Sequence, residues 1–348
     1  MNTKPSIFIW QNGFKGGAEK VTIDYANGFN EYANISPVLG IFQGEESADI
    51  PFRQIEVPRL FPKKYQGLNN IWAAHWLKKK KILQQFDLVF THSGAGWKTE
   101  NNFYIHFEPG DLKLMEKALP APSKYLHFIV RLFLEKSFKK ADLILSASRK
   151  ADKYFDTLNI KYISTNNIVN TENINQINLS KTLGDPITII FIGRNDRIKN
   201  LNSLIRAVNI QNKRNIQLKI IGLSGQDNVN IKYLDWCTQE QISEELINSD
   251  IFCLPSIYEA SPLVVLEALA LGIPCIVNKN AIQEELIEFV EICDINWKDI
   301  YQSISQVIHT YEDYHQKALL SHKIIKQHFS KKNIIDNVRL IIEKINGS

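Results

Sequence analysis

Two cations follow a strongly apolar segment in the second half of the chain. Residues 187–192 are typical of a buried strand, and Gly193, Arg194 and Lys199 come directly after it. An arginine presents a planar fork of N–H donors and a lysine a point charge, so the two suit a diphosphate. The alternative is a solvated charged surface. A Walker A loop is excluded, because no Gly-Lys-Ser/Thr sequence occurs.

A glutamate pair, Glu259 and Glu267, flanks a predicted helix start. Ser261 before Pro262 indicates that start, since serine caps helices and proline is tolerated at the first helical position. The amides of Leu263 and Val264 would then face an anion such as a diphosphate, which the helix dipole favours. Glu267 lies one to two turns inside the helix and could accept hydrogen bonds from two ribose hydroxyls. The alternative, a solvated Glu267, is disfavoured by its apolar neighbours.

A glycine-rich loop follows the first predicted strand. Gly16 and Gly17 precede a helical pattern and would let the backbone approach a ligand closely at a helix N-terminus. The spacing does not give GxGxxG, which makes this a poor dinucleotide fingerprint. A plain tight turn is the alternative.

Histidines end two predicted strands of the first half, His92 and His106. Each is either a site residue or a satisfied polar residue in the core. Neither HExxH nor Asp-x-Asp occurs, whereas a metal-dependent transferase needs carboxylates to hold its cation against a diphosphate. We therefore expect no metal cofactor, with Arg194, Lys199 and helix amides taking its place.

These residues sit among short apolar runs that alternate with helical patterns, which predicts an α/β fold with parallel sheets. Strands are expected at 6–10, 35–42, 88–92, 103–106, 143–147, 187–192, 217–221, 251–255 and 274–278. Turn residues at 183–186 suggest two Rossmann-like domains, 1–183 and 184–348. They would face each other across a ligand cleft.

Composition excludes several classes of protein. The chain has 348 residues, 44% hydrophobic and 22% charged, which excludes a disordered or low-complexity chain. Its four cysteines form no CxxC pair, and no signal peptide or membrane span is apparent, so we expect a reduced, cytoplasmic protein. The net charge of +4 is too small to imply nucleic acid as a partner.

The positive charge is uneven. Residues 1–183 hold 24 Lys and Arg against 17 Asp and Glu, a net charge of +7, whereas residues 184–348 have a net charge of −3. Two basic amphipathic stretches, 71–83 and 125–136, combine aromatic residues with Lys and Arg. They predict weak, salt-sensitive association with an anionic membrane surface. The alternative is core-facing helices with a solvated basic face.

Taken jointly, these segments resemble glycosyltransferase family 4, the retaining, metal-independent transferases of GT-B architecture. The resemblance covers most of the chain. The matching segments are Gly16-Gly17-Ala18-Glu19, the strand-end histidine segments 86–92 and 104–106, residues 141–148 and 167–170, Gly193-Arg194 with Lys199, and Glu259 with Glu267 before Ala268, Ala270, Gly272 and Pro274. Compared with the family, the segment from Gly222 to Tyr233 is short, and Ala260-Ser261 follows the first glutamate where Gly-Phe is common.

The resemblance implies a UDP- or GDP-sugar as donor and a growing surface glycan or glycolipid as acceptor. Arg194 and Lys199 would stabilise the departing nucleoside diphosphate, Glu267 would bind ribose, and Glu259 with amides around Ala260–Leu263 would hold the sugar. His106 would lie beside sugar and acceptor, and Gly16-Gly17 close to the diphosphate or acceptor. It also implies an acceptor-binding first domain, a donor-binding second domain and a C-terminal helix, about 330–345, that returns to the first.

Other functions fit the same scaffold. A sugar-nucleotide epimerase or a sugar phosphorylase would use the same two domains, and an epimerase would convert a sugar nucleotide without acceptor. A non-catalytic, two-lobed sugar-binding protein is a further alternative, although it would not need a phosphate clamp.

Overall fold

The computed structural model describes residues 4–11, 17–45, 50–92, 94–169, 179–194, 196–210 and 215–346. The chain divides into two units. Unit 1 comprises Met1–Ile168 and Lys331–Ser348, and unit 2 comprises Val169–Ser330.

Unit 1 is built on a seven-stranded sheet in which every described strand pair is parallel. Its strands are β1 (Ile7–Trp10), β2 (Val38–Phe42), β3 (Gln54–Val57), β4 (Leu88–His92), β5 (Phe103–Glu108), β6 (Leu143–Ser146) and β7 (Ile163–Ser164). They lie in the order β3-β2-β1-β4-β5-β6-β7. The strand order therefore reverses between β1 and β4, where open α/β sheets bind ligands at the carboxyl ends.

Helices connect these strands. They are α1 (Gly17–Ala33), α2 (Gln66–Lys79), α3 (Leu112–Ala118), α4 (Ser123–Phe138), α5 (Arg149–Leu158) and, from the end of the chain, α11 (Lys332–Asn346). The central strands are buried because helices cover both faces of such a sheet. Trp10 and Trp97 are fully buried there, with their ring centroids 5.0 Å apart.

Unit 2 has the same α/β architecture, built on a six-stranded parallel sheet. Its strands are β8 (Ile187–Ile192), β9 (Ile216–Ile221), β10 (Ile231–Leu234), β11 (Ile251–Leu254), β12 (Cys275–Asn278) and β13 (Glu291–Cys293), in the order β10-β9-β8-β11-β12-β13. Its helices are α6 (Leu201–Ile210), α7 (Gln239–Ile247), α8 (Leu263–Ala270), α9 (Trp297–His309) and α10 (Tyr311–His328). The order reverses between β8 and β11. The expected pair of Rossmann-like sheets is confirmed.

The boundary between the units differs from the predicted one. Residues 179–183 were expected in the first domain, but the Lys181 ammonium donates to the carbonyl oxygens of Ile247 and Ser249 at 2.6 and 2.5 Å, within unit 2. The backbone N–H of Val169 also donates to the Phe329 carbonyl oxygen at 2.8 Å. These bonds tie the segment to unit 2, so the division lies at 168/169 rather than 183/184.

Helix α11 packs against α1 of unit 1, as expected for a C-terminal helix that returns to the first domain. The Asn337 side-chain amide donates to the Tyr25 hydroxyl at 2.8 Å and to the Thr165 hydroxyl at 2.7 Å. Gly28 allows the close approach, because a Cβ there would lie 2.4 Å from Cγ2 of Ile334. The hydrogen bonds of Asn337 and the small residue Gly28 thus allow α11 to pack closely against α1.

Candidate functional site

The predicted donor-site residues lie at the point where the sheet order of unit 2 reverses. Gly193, Arg194 and Lys199 follow β8, and the segment 255–262 follows β11, the neighbouring strand. The two segments are bonded to each other, since the Ile257 N–H donates to the Ile198 carbonyl oxygen at 2.7 Å. The carboxyl ends of β8 and β11 therefore bring both predicted motifs together.

Lys199 ends the short 3-10 helix Arg197–Lys199 and pairs with Glu259. Its ammonium lies 2.6 Å from Oε1 of Glu259, and each side chain is 16% exposed. A Cβ on Gly193 would lie 3.5 Å from Cδ of Lys199, so the lysine stem passes beside the glycine. An ammonium has three N–H donors. Lys199 can therefore keep Glu259 and still donate to an anion.

Arg194 is placed differently from Lys199. Its side chain is 71% exposed, and its guanidinium lies 3.7 Å from a carboxylate oxygen of Asp196. At that distance and exposure the attraction to Asp196 is weak. The structure thus places Lys199 in a close ion pair and leaves the Arg194 side chain largely in solvent.

Asn200 takes a structural role here. The loop sequence suggests that it caps the following helix, yet its side-chain amide donates to the carbonyl oxygens of Pro255 and Ile295, at 3.2 and 2.6 Å. Its φ of 56° lies in the left-handed region, which asparagine tolerates better than most residues. Asn200 therefore fixes the basic loop against the segment that carries Glu259.

Helix α8 begins one residue later than predicted. Pro262 takes the N-cap position with φ −74° and ψ 103°, and no side chain caps the helix. Ser261, expected as the cap, instead accepts a hydrogen bond from the Gln283 side-chain amide at 2.9 Å. The extended ψ of Pro262 is the reason, because it keeps Pro262 out of the helix. The amides of Leu263 and Val264 precede the first intrahelical bond, as an anion site requires.

The segment 255–262 before α8 also bonds to the segment that follows β12. The Glu259 N–H donates to the Asn280 carbonyl oxygen at 3.1 Å. Ala260 and Ser261 are half-buried, and Leu263 is buried. The backbone around these residues is thus held by the segments after β11 and β12.

Glu267 lies one turn inside α8 and is 9% exposed, so it is not a solvated surface residue. Its carboxylate accepts a hydrogen bond from the Gln239 side-chain amide at 3.1 Å. Gln239 is the first residue of α7, where Thr238 and Gln241 form a capping box. The sequence Thr-x-x-Gln signals that helix start, but the contact between Gln239 and Glu267 could not be read from spacing.

Trp236 is a further candidate that the sequence analysis missed. It is 43% exposed, in the segment between β10 and α7. Gly222, at the end of β9 with φ +93°, would carry a Cβ 3.5 Å from the indole of Trp236 and 3.0 Å from the Gly193 carbonyl oxygen. The indole thus lies beside the start of the basic loop. An exposed aromatic residue in a polar segment was the available signal.

The first loop of unit 1 is only partly described. Gly17 is the exposed first residue of α1, directly beyond the strand at which the sheet order reverses. Gly16 lies outside the described residues.

His106 differs from its predicted role beside the acceptor. Its side chain is fully buried, with Nδ1 3.1 Å from the Tyr104 hydroxyl and Nε2 3.2 Å from a Glu108 carboxylate oxygen. Burial raises the pKa of the Tyr104 hydroxyl to about 12. The reason is strand alternation: residues 104, 106 and 108 share one face of β5, which is covered. In this structure His106 belongs to a buried hydrogen-bonded network and does not reach solvent.

His92 ends β4 next to this network. It is 7% exposed, and its Nδ1 has no hydrogen-bond partner within the described part of the chain. Burial, helped by the charge of His106, lowers the pKa of His92 to about 3. His92 is therefore a neutral imidazole at physiological pH.

The described residues contain neither a cluster of metal ligands nor a membrane-spanning helix. No group of three or more His, Cys, Asp and Glu side chains among them is arranged to hold a metal ion. No helix formed by the described residues is long and apolar enough to cross a membrane.

Part of the chain matches a glycosyltransferase family model, and the chain has relatives among bacterial proteins. Residues 172–318 match the family model described as glycosyl transferases group 1. An uncharacterized glycosyltransferase of Haemophilus influenzae is 24% identical over 375 residues, covering 97% of this chain and 99% of that protein. An uncharacterized 41.2 kDa protein in the cps region of Klebsiella pneumoniae is 24% identical over 174 residues, 48% of this chain and 49% of that one.

Solved structures share the fold. Sucrose-phosphate synthase from Thermosynechococcus elongatus superposes with a TM-score of 0.80 at 13% identity, covering 99% of this chain and 100% of that one. Anabaena HepE in complex with UDP and glucose has a TM-score of 0.71 at 14% identity, over 98% of this chain and 100% of that one. The fold is that of the GT-B glycosyltransferases. The family model and the Haemophilus relative together support the assignment of the chain as a transferase enzyme.

Proposed function

We propose that the chain is a retaining, metal-independent transferase of family 4 that moves a sugar from a UDP- or GDP-sugar to a growing surface glycan. The observation that carries the proposal is the ion pair of Lys199 with Glu259 beside the uncapped start of α8. The polysaccharide context rests on the cps-region relative and on the structural likeness to WaaG, a glycosyltransferase of lipopolysaccharide biosynthesis. HepE, bound to UDP-glucose, supports a nucleotide-sugar donor.

The diphosphate would be held by charge and by backbone amides. Lys199 would donate to a phosphate oxygen while Glu259 fixes its direction, and Arg194 would swing from solvent onto the same group. The amides of Leu263 and Val264 would add the positive end of the helix dipole. With the donor bound in this way, these groups would lie where negative charge grows as the sugar–phosphate bond breaks. In many enzymes, such prearranged charge makes the largest contribution to lowering the activation barrier.

The nucleoside would extend along the same edge of unit 2. The carboxylate of Glu267, already oriented by Gln239, would accept hydrogen bonds from ribose hydroxyls. The indole of Trp236 would offer an apolar face to the base. The donor sugar would contact Glu259 and the backbone of Ala260 and Ser261.

In a single displacement, retention requires the acceptor oxygen to attack the anomeric carbon from the same face that the phosphate leaves, and this is the route proposed here. The bond between the anomeric carbon and the phosphate oxygen breaks, the bond to the acceptor oxygen forms, and the acceptor proton passes to the departing phosphate. No protein base is needed for this balance. The residues then act by positioning and electrostatic stabilisation.

Unit 1 would bind the acceptor. Gly16 and Gly17 would allow close approach at the start of α1, and His106 would hold Glu108 and Tyr104 in place behind the ends of β4 and β5. Weak association with an anionic membrane surface belongs to the same proposal, since a glycolipid acceptor would be located in such a membrane.

A donor screen tests the proposal. The protein is incubated with UDP- and GDP-sugars, with and without candidate acceptors, and nucleotide release and product mass are measured. We expect nucleotide release that increases with acceptor and a product heavier by one sugar. Conversion of a sugar nucleotide without acceptor would indicate an epimerase, release of a sugar phosphate a phosphorylase, and tight binding of free sugar alone a binding protein. Any of these results would overturn the proposal.

A further inference from the structure

Helix α4 buries one face and exposes another that is apolar. Val130, Leu134 and Phe138 are buried in unit 1. On the other side an apolar stripe is exposed by 41 to 68%, consisting of Tyr125, Phe128, Ile129, Leu132 and Phe133. The spacing 125, 128, 129, 132, 133 is that of one continuous helix face. The sequence alternative of a core-facing helix with a solvated basic face therefore does not describe this stretch.

Lysines border the stripe at both ends of α4. Lys124 is exposed at the start of the helix, and Lys136, Lys139 and Lys140 are exposed towards and beyond its end. Two nearby acidic residues, Glu116 and Glu135, both bond to Arg131, at 2.8 and 2.6 Å, so that one positive charge offsets half of their negative charge and the four lysines outweigh the remainder. The border of the stripe is thus positively charged.

A run of lysines, residues 78–81, begins in the last turn of α2 and joins this border. Helices α2 and α4 touch, because a Cβ on Gly67 would lie 2.9 Å from Val130. Burial, with the charge of Lys140 as a second cause, lowers the pKa of Lys78. Ile82 and Ala141, the residues directly after the two lysine groups, pack against the same hydrophobic cluster of unit 1. Residues 78–81 and Lys139–Lys140, at the ends of the two helices, are therefore close to each other and are called the lysine cluster. Like charges held together in this way repel each other unless an anion lies near.

We propose that the apolar stripe of α4 docks on an anionic phospholipid bilayer, with the lysine cluster facing the headgroups. Aromatic and aliphatic side chains on one helix face, bordered by lysines, suit the boundary between headgroups and acyl chains. The anionic leaflet attracts basic residues over about a Debye length. A second copy of the chain fits less well, because a two-fold contact through α4 would bring two lysine clusters together.

The inference rests on the proposed function only for its purpose, which is to bring unit 1 to a lipid-linked acceptor. The docking itself is independent of catalysis. It is a different surface from Lys199, Glu259 and Glu267, the side chains of unit 2 proposed to bind the donor.

Vesicle flotation with the full chain tests the proposal. Vesicles contain phosphatidylcholine alone or with phosphatidylglycerol, and the bound fraction is measured at low and high salt. We expect binding only with phosphatidylglycerol, at least tenfold above neutral vesicles, and release by high salt. Equal binding to both vesicle types, or no binding to either, would overturn the proposal.

Variants locate the surface. The double variant Phe128→Ser/Phe133→Ser and the variant Lys139→Gln/Lys140→Gln should each lower binding at least fivefold. Matched controls on α10 of unit 2, Leu320→Ser and Lys323→Gln/Lys326→Gln, should leave binding unchanged. Because Phe128 and Phe133 are exposed, thermal unfolding should be the same in all variants. Equal loss in variant and control would refute docking through α4.

Two further readouts separate the remaining outcomes. If the chain dimerises and Phe128→Ser/Phe133→Ser abolishes the dimer without vesicle binding, the stripe is covered by a second copy and the proposal fails. Nucleotide release with a water-soluble acceptor should be the same in wild type and stripe variants. Absent vesicle binding with intact release would reject the docking alone, whereas absent release would reject the proposed function.

Discussion

At the scale of single residues, two of the predicted charged side chains already have close partners. Lys199 is paired with Glu259, and Glu267 is bonded to Gln239. Both bonds fix a side chain that the proposed donor would use, so the entropy of ordering is lost in folding rather than in binding. The site is thus preorganised more fully than separate charges in a loop would be.

Glu267→Gln tests the ribose contact. The amide keeps the size of the carboxylate but removes the charge and one acceptor, and hydrogen bonds to charged groups are the stronger kind. We expect KM for the donor to rise about tenfold with little change in kcat, as loss of one such bond implies. Donor titration of nucleotide release measures this.

The matched control is Glu244→Gln, on an exposed position of α7. It should leave KM unchanged. An unaltered KM in Glu267→Gln, or an equal change in both variants, would argue against a ribose contact at Glu267.

At the scale of elements, the central strands could be predicted and the edge strands could not. All nine predicted strands are present, whereas β3, β7, β10 and β13 were missed. These four lie at the two edges of each sheet. They have two to four residues and include polar positions, such as Glu56 and Lys232. Edge strands are short and polar because only one side is paired, so they lack the apolar run that reveals a central strand.

The segment from Gly222 to Tyr233, which is short compared with the family, leaves little room for a helix between β9 and β10. The described residues there contain no helix, and β10 follows directly. Contacts between distant segments were beyond the sequence. Examples are Ser261 with Gln283 and Gln239 with Glu267. They depend on where the sheet places each loop, which spacing along the chain does not give.

Gly28→Ala tests the packing of α11 on α1. The new Cβ would meet Ile334 at 2.4 Å. We expect a loss of about 1–2 kcal/mol in the free energy of unfolding, since overpacking outweighs the gain in helix propensity. Urea unfolding measures it.

The control for propensity is Asn30→Ala, at an exposed position of the same helix. It should be neutral or stabilising. Ile334→Ala, which removes the clashing methyl group, should cost less in the Gly28→Ala background than in wild type. Additive effects would show that α11 does not pack on Gly28.

At the scale of the whole molecule, stability should depend on pH through His92. Its pKa is about 3 in the folded chain and near 6.5 when unfolded. Below pH 6.5 the unfolded chain binds a proton that the folded chain does not. The contribution of neutral His92 to the free energy of unfolding is therefore complete above pH 6.5. It is lost as the pH falls towards 3, by up to about 1.4 kcal/mol per pH unit.

His92→Gln removes this titration. Between pH 6.5 and 4 the free energy of unfolding should fall less steeply than in wild type, as measured by urea unfolding at several pH values. His309→Gln, at an exposed position at the end of α9, is the control and should keep the wild-type slope. Identical slopes in all three proteins would show that His92 titrates normally.

We propose above all that side chains and backbone amides of unit 2 neutralise the nucleoside diphosphate without a metal ion. Nucleotide release from the accepted donor, measured in excess chelator for wild type and Lys199→Gln, tests it most directly. The account predicts full wild-type release with chelator and a loss of about 100-fold or more in kcat for Lys199→Gln. Release that stops with chelator and returns with a divalent cation, or that is untouched by Lys199→Gln, would contradict it.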